Sequence, residues 1–90
     1  MGGRIDVDLP LNVTVRLSGP LAESLGARRV VRMNAGATVS DLLRTITQEA
    51  RVDGRHAATL AVVAGGSFVP RSRALADGDE LDVLVPIAGG

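Results

Sequence analysis

Residues 11–17, Leu-Asn-Val-Thr-Val-Arg-Leu, alternate apolar and polar side chains, the period-two signature of a strand with one buried face. Val13, Val15 and Leu17 project to one side; Asn12, Thr14 and Arg16 project to the other. Ser18-Gly19-Pro20 ends this strand, and Leu21 to Gly26 reads as a short loop or a helical turn. A second strand, Arg28 to Asn34, carries Val30, Val31 and Met33 before the turn Asn34-Ala35-Gly36. The period then changes. Val39, Leu42, Leu43, Ile46 and Ala50 recur at spacings of three and four, which predicts a helix over 38–52 with Ser40, Arg44, Thr47, Gln48 and Arg51 outside. Thr38 followed by Asp41 resembles a capping box, and Asp53-Gly54 supplies the stop. Thr59 to Ala64 forms a third strand, and Gly65-Gly66 a tight hairpin turn into a short return, Ser67-Phe68-Val69, halted by Pro70. After the turn at Asp77-Gly78-Asp79, residues 80–85 make the last strand, with Leu81, Val83 and Val85 inward.

The order is strand, strand, helix, strand, short strand, strand. One amphipathic helix covers only one face of the resulting sheet. The expectation is an α+β fold of the β-grasp, ubiquitin-like type, a mixed sheet of four to five strands packed on one helix. A flexible extension over 1–10 precedes the domain over 11–85, and a flexible tail over 86–90 follows it. The core uses Val, Leu, Ile, Ala and Met, because Phe68 is the only aromatic residue. Leu84 lies on the uncovered side of the last strand, and Ala61 and Val63 point the same way from the third. With Phe68 they form a candidate partner-docking patch, for which Arg71 and Arg73 supply a polar rim.

Charge and composition narrow the function classes. Ten acidic residues balance ten arginines, and stacking aromatics are missing, so neither a basic nor an aromatic footprint for nucleic acid exists. No apolar run approaches the ~20 residues of a membrane span, and the first residues lack the apolar segment of a signal peptide. The expected location is the cytoplasm. Cysteine is absent, which excludes disulfides and thiolate metal sites. Lysine is absent too, so this chain offers no side-chain amine for linkage to another copy of itself.

Few groups capable of catalysis remain. His56, the single histidine, reads as a solvated loop residue, and it cannot form a structural zinc site without further ligands. Asp77, Asp79 and Glu80 fit a turn better than an acid–base pair or a calcium loop. No phosphate-cradling glycine loop ends in Lys-Ser/Thr, so no bound cofactor or metal is expected. What stands out is Pro86-Ile87-Ala88-Gly89-Gly90. Two glycines without Cβ make a narrow segment that can thread a terminal carboxylate into another protein's active site.

Four stretches are similar to the MoaD/ThiS family of sulfur carriers. They are Val15 to Glu23, Gly36 to Leu43, Leu75-Ala76-Asp77-Gly78-Asp79-Glu80-Leu81, and Val85-Pro86-Ile87-Ala88-Gly89-Gly90. The ending resembles molybdopterin-synthase small subunits more than the thiamine-pathway carriers. Departures are Leu17-Ser18, where many molybdopterin-type members have an aromatic, and Gly65-Gly66, where they have Asn-Gly. The resemblance implies a protein cosubstrate rather than an enzyme. A ubiquitin-activating-type adenylyltransferase spends ATP to adenylate Gly90, a persulfide protein donates sulfur, and a synthase subunit accepts it. Pro86, Ile87, Ala88 and Gly89 would form the threading tail. Two alternatives stay open: a ubiquitin-like modifier joined through Gly90 to another protein's lysine, and a β-grasp interaction module with an incidental Gly-Gly ending.

Overall fold

The computed structural model describes residues 10–52 and 59–85. It contains β1 (Leu11–Arg16), α1 (Gly19–Leu25), β2 (Arg28–Met33), α2 (Val39–Ala50), β3 (Ala61–Ala64), β4 (Ser67–Phe68) and β5 (Glu80–Leu84). Residues 1–9 of the expected extension over 1–10, the stop signal Asp53-Gly54, His56 and the tail over 86–90 lie outside the described residues.

The five strands form one sheet in the order β2-β1-β5-β3-β4. β1 pairs antiparallel with β2 and parallel with β5, aligning Thr14 with Glu80, Val15 with Leu81 and Arg16 with Asp82. Parallel neighbours need a long crossover, here everything from α1 to the β4–β5 loop. Antiparallel β3 and β5 place Ala61 opposite Leu84 and Val62 opposite Val83. The β3–β4 hairpin turns at Gly65 and Gly66, with φ of 59° and 84°. Positive φ at both central residues suits a two-residue turn whose twist matches its strands, and glycine adopts it without Cβ strain.

One sheet face is covered. Val13, Val15, Leu17, Val31, Met33, Leu60, Val62, Leu81 and Val83 meet Val39, Leu42, Leu43 and Ile46 of α2 in a single core. Four of its buried members come from outside the stripe and strand positions assigned inward by sequence. Val31 and Met33 take the covered side of β2, whose burial alternates while its residue types do not. Leu75, in the β4–β5 loop, is also buried. The fourth, Leu21, belongs to α1, a seven-residue helix where the sequence allowed only a loop or single turn. Pro20 in its first turn presets a helical φ, and burial of Leu21 supplies the stabilisation that so short a helix lacks by itself.

Thr47 was expected outside, but only 5% of its surface is exposed. It follows Leu43 by four residues and therefore shares its face. Its Oγ1 donates to the Leu43 carbonyl at 2.8 Å, so the hydroxyl is buried with a partner. The helix also ends earlier than expected. Arg51 sits in the left-handed region at φ 58°, and Val52 N donates back to the Thr47 carbonyl at 2.9 Å.

The start of α2 satisfies its backbone donors with partners from two sources. Thr38 Oγ1 accepts from Asp41 N, and Asp41 Oδ2 accepts from Thr38 N at 2.9 Å, completing the capping box. Val39 N and Ser40 N donate at 2.9 Å to the carbonyls of Arg73 and Arg71 in the β4–β5 loop. Leu75 N donates to the Ala37 carbonyl at 2.9 Å, which fixes the loop with Leu75 turned into the core.

Leu43→Ala is expected to destabilise the fold by ~2–5 kcal/mol, measured by chemical denaturation. An unchanged midpoint would contradict this packing. Backbone and hydroxyl hydrogen bonds from Thr38 hold the Asp41 carboxyl below its ordinary pKa. Its stabilising contribution is complete above the unfolded-state pKa and is lost as pH falls through the depressed folded value. The stability difference between wild type and Asp41→Asn should therefore be widest near neutrality and close on acidification; a pH-independent gap would remove the ionised cap as its cause.

Candidate functional site

Strand pairing assembles the candidate docking patch on the uncovered face. Cross-strand partners share a face, so Ala61 lies beside Leu84, and Val63 lies between Phe68 and Asp82. Phe68 is 74% exposed and Leu84 40% exposed, while Ala61 and Val63 are half-buried between them. These four residues are brought together from three strands. The β3–β4 hairpin presents Phe68 at the outer edge, and β5 carries Leu84 at the end from which residues 86–90 continue.

Charge borders the patch on its β1 side. Arg16 reaches Asp82 with Nη2 at 3.2 Å from Oδ2, and Nη1 lies 3.4 Å from Glu80 Oε1. The hydrogen bond from Arg16 lowers the Asp82 carboxyl pKa, and the same bond raises that of the guanidinium. All three side chains are exposed enough for water to screen them, so this network orients the border more than it stabilises the fold.

Arg71 and Arg73 occupy a different setting. Arg71 Nη2 donates to the Leu60 carbonyl at 2.9 Å, while Arg73 Nη1 pairs with Asp79 Oδ2 at 3.2 Å. Their backbone carbonyls also receive the first donors of α2. The loop carrying both arginines is therefore tied to the helix side of the sheet, with Arg73 half-buried. The sequence did not reveal this dual structural use, which depends on contacts between segments distant along the chain.

The root of the tail is placed by Val85, which is half-buried against the core. Gly19 faces it: a Cβ there would stand 3.8 Å from Val85 Cγ2, at a φ of 60° that side chains rarely adopt. Pro86, Ile87, Ala88, Gly89 and Gly90 lie outside the described residues. Among the described residues there is no cluster of three or more metal-ligating side chains, and no helix is long and apolar enough to cross a membrane.

A five-stranded mixed sheet with its long helix across one face and an open, partly apolar opposite face defines a ubiquitin-like β-grasp protein. The ThiS family model matches residues 15–90, and the chain belongs to that family of ubiquitin-like sulfur carriers. It is similar to SAMP1 from Haloferax volcanii, with 28% identity over 88% of this chain and 99% of that one, and a TM-score of 0.68. Two solved structures share the fold at lower identity. The HVO 2177 protein of Haloferax volcanii is 24% identical, covers 100% of both chains and has a TM-score of 0.73. A putative molybdopterin converting factor, subunit 1, from Pyrococcus furiosus is 22% identical over 86% of this chain and 99% of that one, with a TM-score of 0.69. No curated protein sequence matches the chain.

Leu84→Asp should weaken binding to an activating enzyme while leaving the denaturation midpoint close to wild type, because this side chain contributes to the open face rather than the core. Titration calorimetry of wild type and variant provides the comparison. Equal affinities would exclude the patch from docking.

Proposed function

We propose that this protein carries sulfur on the α-carboxylate of Gly90. The observation that carries the reading is the family match, which runs from the first strand through Gly89-Gly90. The Gly90 carboxylate attacks the α-phosphorus of ATP in a partner adenylyltransferase, and pyrophosphate leaves. The terminal sulfur of a partner persulfide then attacks the acyl-adenylate carbonyl and displaces AMP. A thiol cleaves the resulting acyl disulfide, releasing the thiocarboxylate as a new disulfide forms on the donor side.

The chain contributes a substrate group and its delivery. An α-carboxyl group, with an ordinary pKa of ~3.3–3.7, is ionised at neutral pH and needs no neighbouring base. Adenylation supplies the leaving group, and enclosure by the partner protects the anhydride from water. Gly89 and Gly90 make the end of the tail thin enough for that enclosure, with Pro86, Ile87 and Ala88 spanning the distance from Val85. The open-face patch docks the domain on the activating enzyme. A synthase subunit in the cytoplasm accepts the sulfur for biosynthesis of the molybdenum cofactor or a related sulfur-containing metabolite, while the chain itself remains a non-catalytic cosubstrate that binds no cofactor.

A second reading has its own support. Similarity to a small archaeal modifier protein 1 structure, at 27% identity over 86% of this chain, favours conjugation through Gly90 to a lysine of another protein. Adenylation is common to both routes, but the acceptor differs.

Wild type incubated with ATP, the activating enzyme and a persulfide donor should exchange one carboxylate oxygen for sulfur, observed by intact-protein mass spectrometry. Gly90→Ala, or one added C-terminal residue, should abolish that exchange with no change in thermal unfolding. Failure of wild type to gain sulfur would reject the carrier reading. Appearance of Gly-Gly-linked lysines on other proteins, without a thiocarboxylate, would select the modifier reading.

A further inference from the structure

The sheet has a second exposed feature, remote from the patch and absent from the reading above. β2 is an outer strand, and its pairing register determines which backbone groups face outward. Leu17 N donates to the Ala27 carbonyl at 2.8 Å, while Thr14 N donates across the other side of β1 to Asp79 at 2.8 Å. Odd-numbered residues of β1 therefore bond toward β2, and odd-numbered residues of β2 bond back. The N–H and C=O groups of Arg28, Val30 and Arg32 consequently point away from the sheet along its free edge.

The side chains of the same three residues lie on the open face. Val30 is 58% exposed, and both arginines are exposed. Neither Arg28 nor Arg32 has a side-chain partner among the described residues. On the opposite face of this edge, Arg29 Nη2 is held 3.0 Å from Glu49 Oε1 of α2. The edge thus offers three backbone donors, three acceptors and two unpaired positive charges flanking one apolar side chain.

We infer that the β2 edge receives an extended acidic peptide segment of a partner protein as a sixth strand. The register prescribes its chemistry. Carboxylates opposite Arg28 and Arg32 stand four residues apart, with a small apolar residue between them opposite Val30. Alternate residues face the Arg29–Glu49 pair and are therefore polar. Charges on an edge ordinarily prevent strand pairing, and here they prevent it selectively. A second copy docked antiparallel about Val30 would set Arg28 against Arg32 twice, stacking like charges. A phosphodiester chain cannot match the alternating backbone donors and acceptors. An acidic strand satisfies both the backbone and the charges.

The test uses full-length protein and the capped peptide Thr-Glu-Thr-Val-Thr-Glu-Thr, followed by amide NMR shifts. The largest changes should occur at Arg28, Val30 and Arg32, leaving Phe68 and Leu84 unchanged. The shifts should be independent of protein concentration and weaken as salt rises past ~0.15 M. Replacing both peptide Glu residues with Lys should reduce affinity by about tenfold or more. The double variant Arg28→Glu/Arg32→Glu should reverse this preference while retaining the wild-type unfolding midpoint. Equal binding of the two peptides, shifts centred on Phe68 and Leu84, self-association through β2, or no binding at ~1 mM peptide would each overturn the inference. Neither assay nor outcome depends on Gly90 chemistry, so sulfur transfer and edge recognition can fail separately.

Discussion

The parallel pairing of β1 with β5 is the constraint from which the rest of the molecule follows. It joins the first strand to the last at the centre of the sheet, across a separation of 66 residues at both Thr14–Glu80 and Arg16–Asp82. Its ladder is reinforced at the entrance to β5: Gly78 N donates to Asn12 O at 2.9 Å, and Asp77 Oδ1 accepts from Asn12 N at 2.8 Å. This contact closes most of the chain into one loop, which incurs a large ordering entropy before the core stabilises it. Burial of Val15 beside Leu81, beneath α2, provides the compensating interaction.

The same pairing separates the two faces of the sheet. β5 lies in the sheet interior, its first residues paired with β1 and its last with β3, and Val85 beyond it packs against the core. The helix-covered face carries the core. The open face carries the ion pairs at Arg16, the apolar group around Leu84 and the charged β2 edge. The domain thus provides a packed base at Val85 on one side and an open, partly apolar face on the other.

The β4–β5 loop links these roles. Its arginine carbonyls complete the N-terminus of α2, its Leu75 enters the core, and its Asp77 and Asp79 set the entry into β5. Asp79 accepts from Ala76 N at 2.8 Å and pairs with Arg73, holding the turn in the shape that begins the parallel ladder. Irregular backbone can persist beside a core because its donors and acceptors have named partners. The loop is therefore part of the framework that positions β5.

By itself, the sequence determined the local elements. Alternation over 11–17, the Val39–Ile46 stripe, the Thr38–Asp41 cap and the Gly65-Gly66 turn were legible because each depends on neighbours a few residues away. The inward set on β1, β3 and β5 was legible for the same reason, and the Gly-Gly ending with its preceding motifs indicated the family. Tertiary structure decided which residues met. Adjacent valines could not reveal that Val31 would be buried and Val30 exposed, and seven residues could not establish α1 before Leu21 found the core. Nor could the sequence reveal Leu75 in the core, the use of Arg71 and Arg73 at the helix start, or the free donors of β2. Side-chain period fixes which residues share a face of one strand, whereas strand order and register fix their neighbours, and those arise only when distant segments pair.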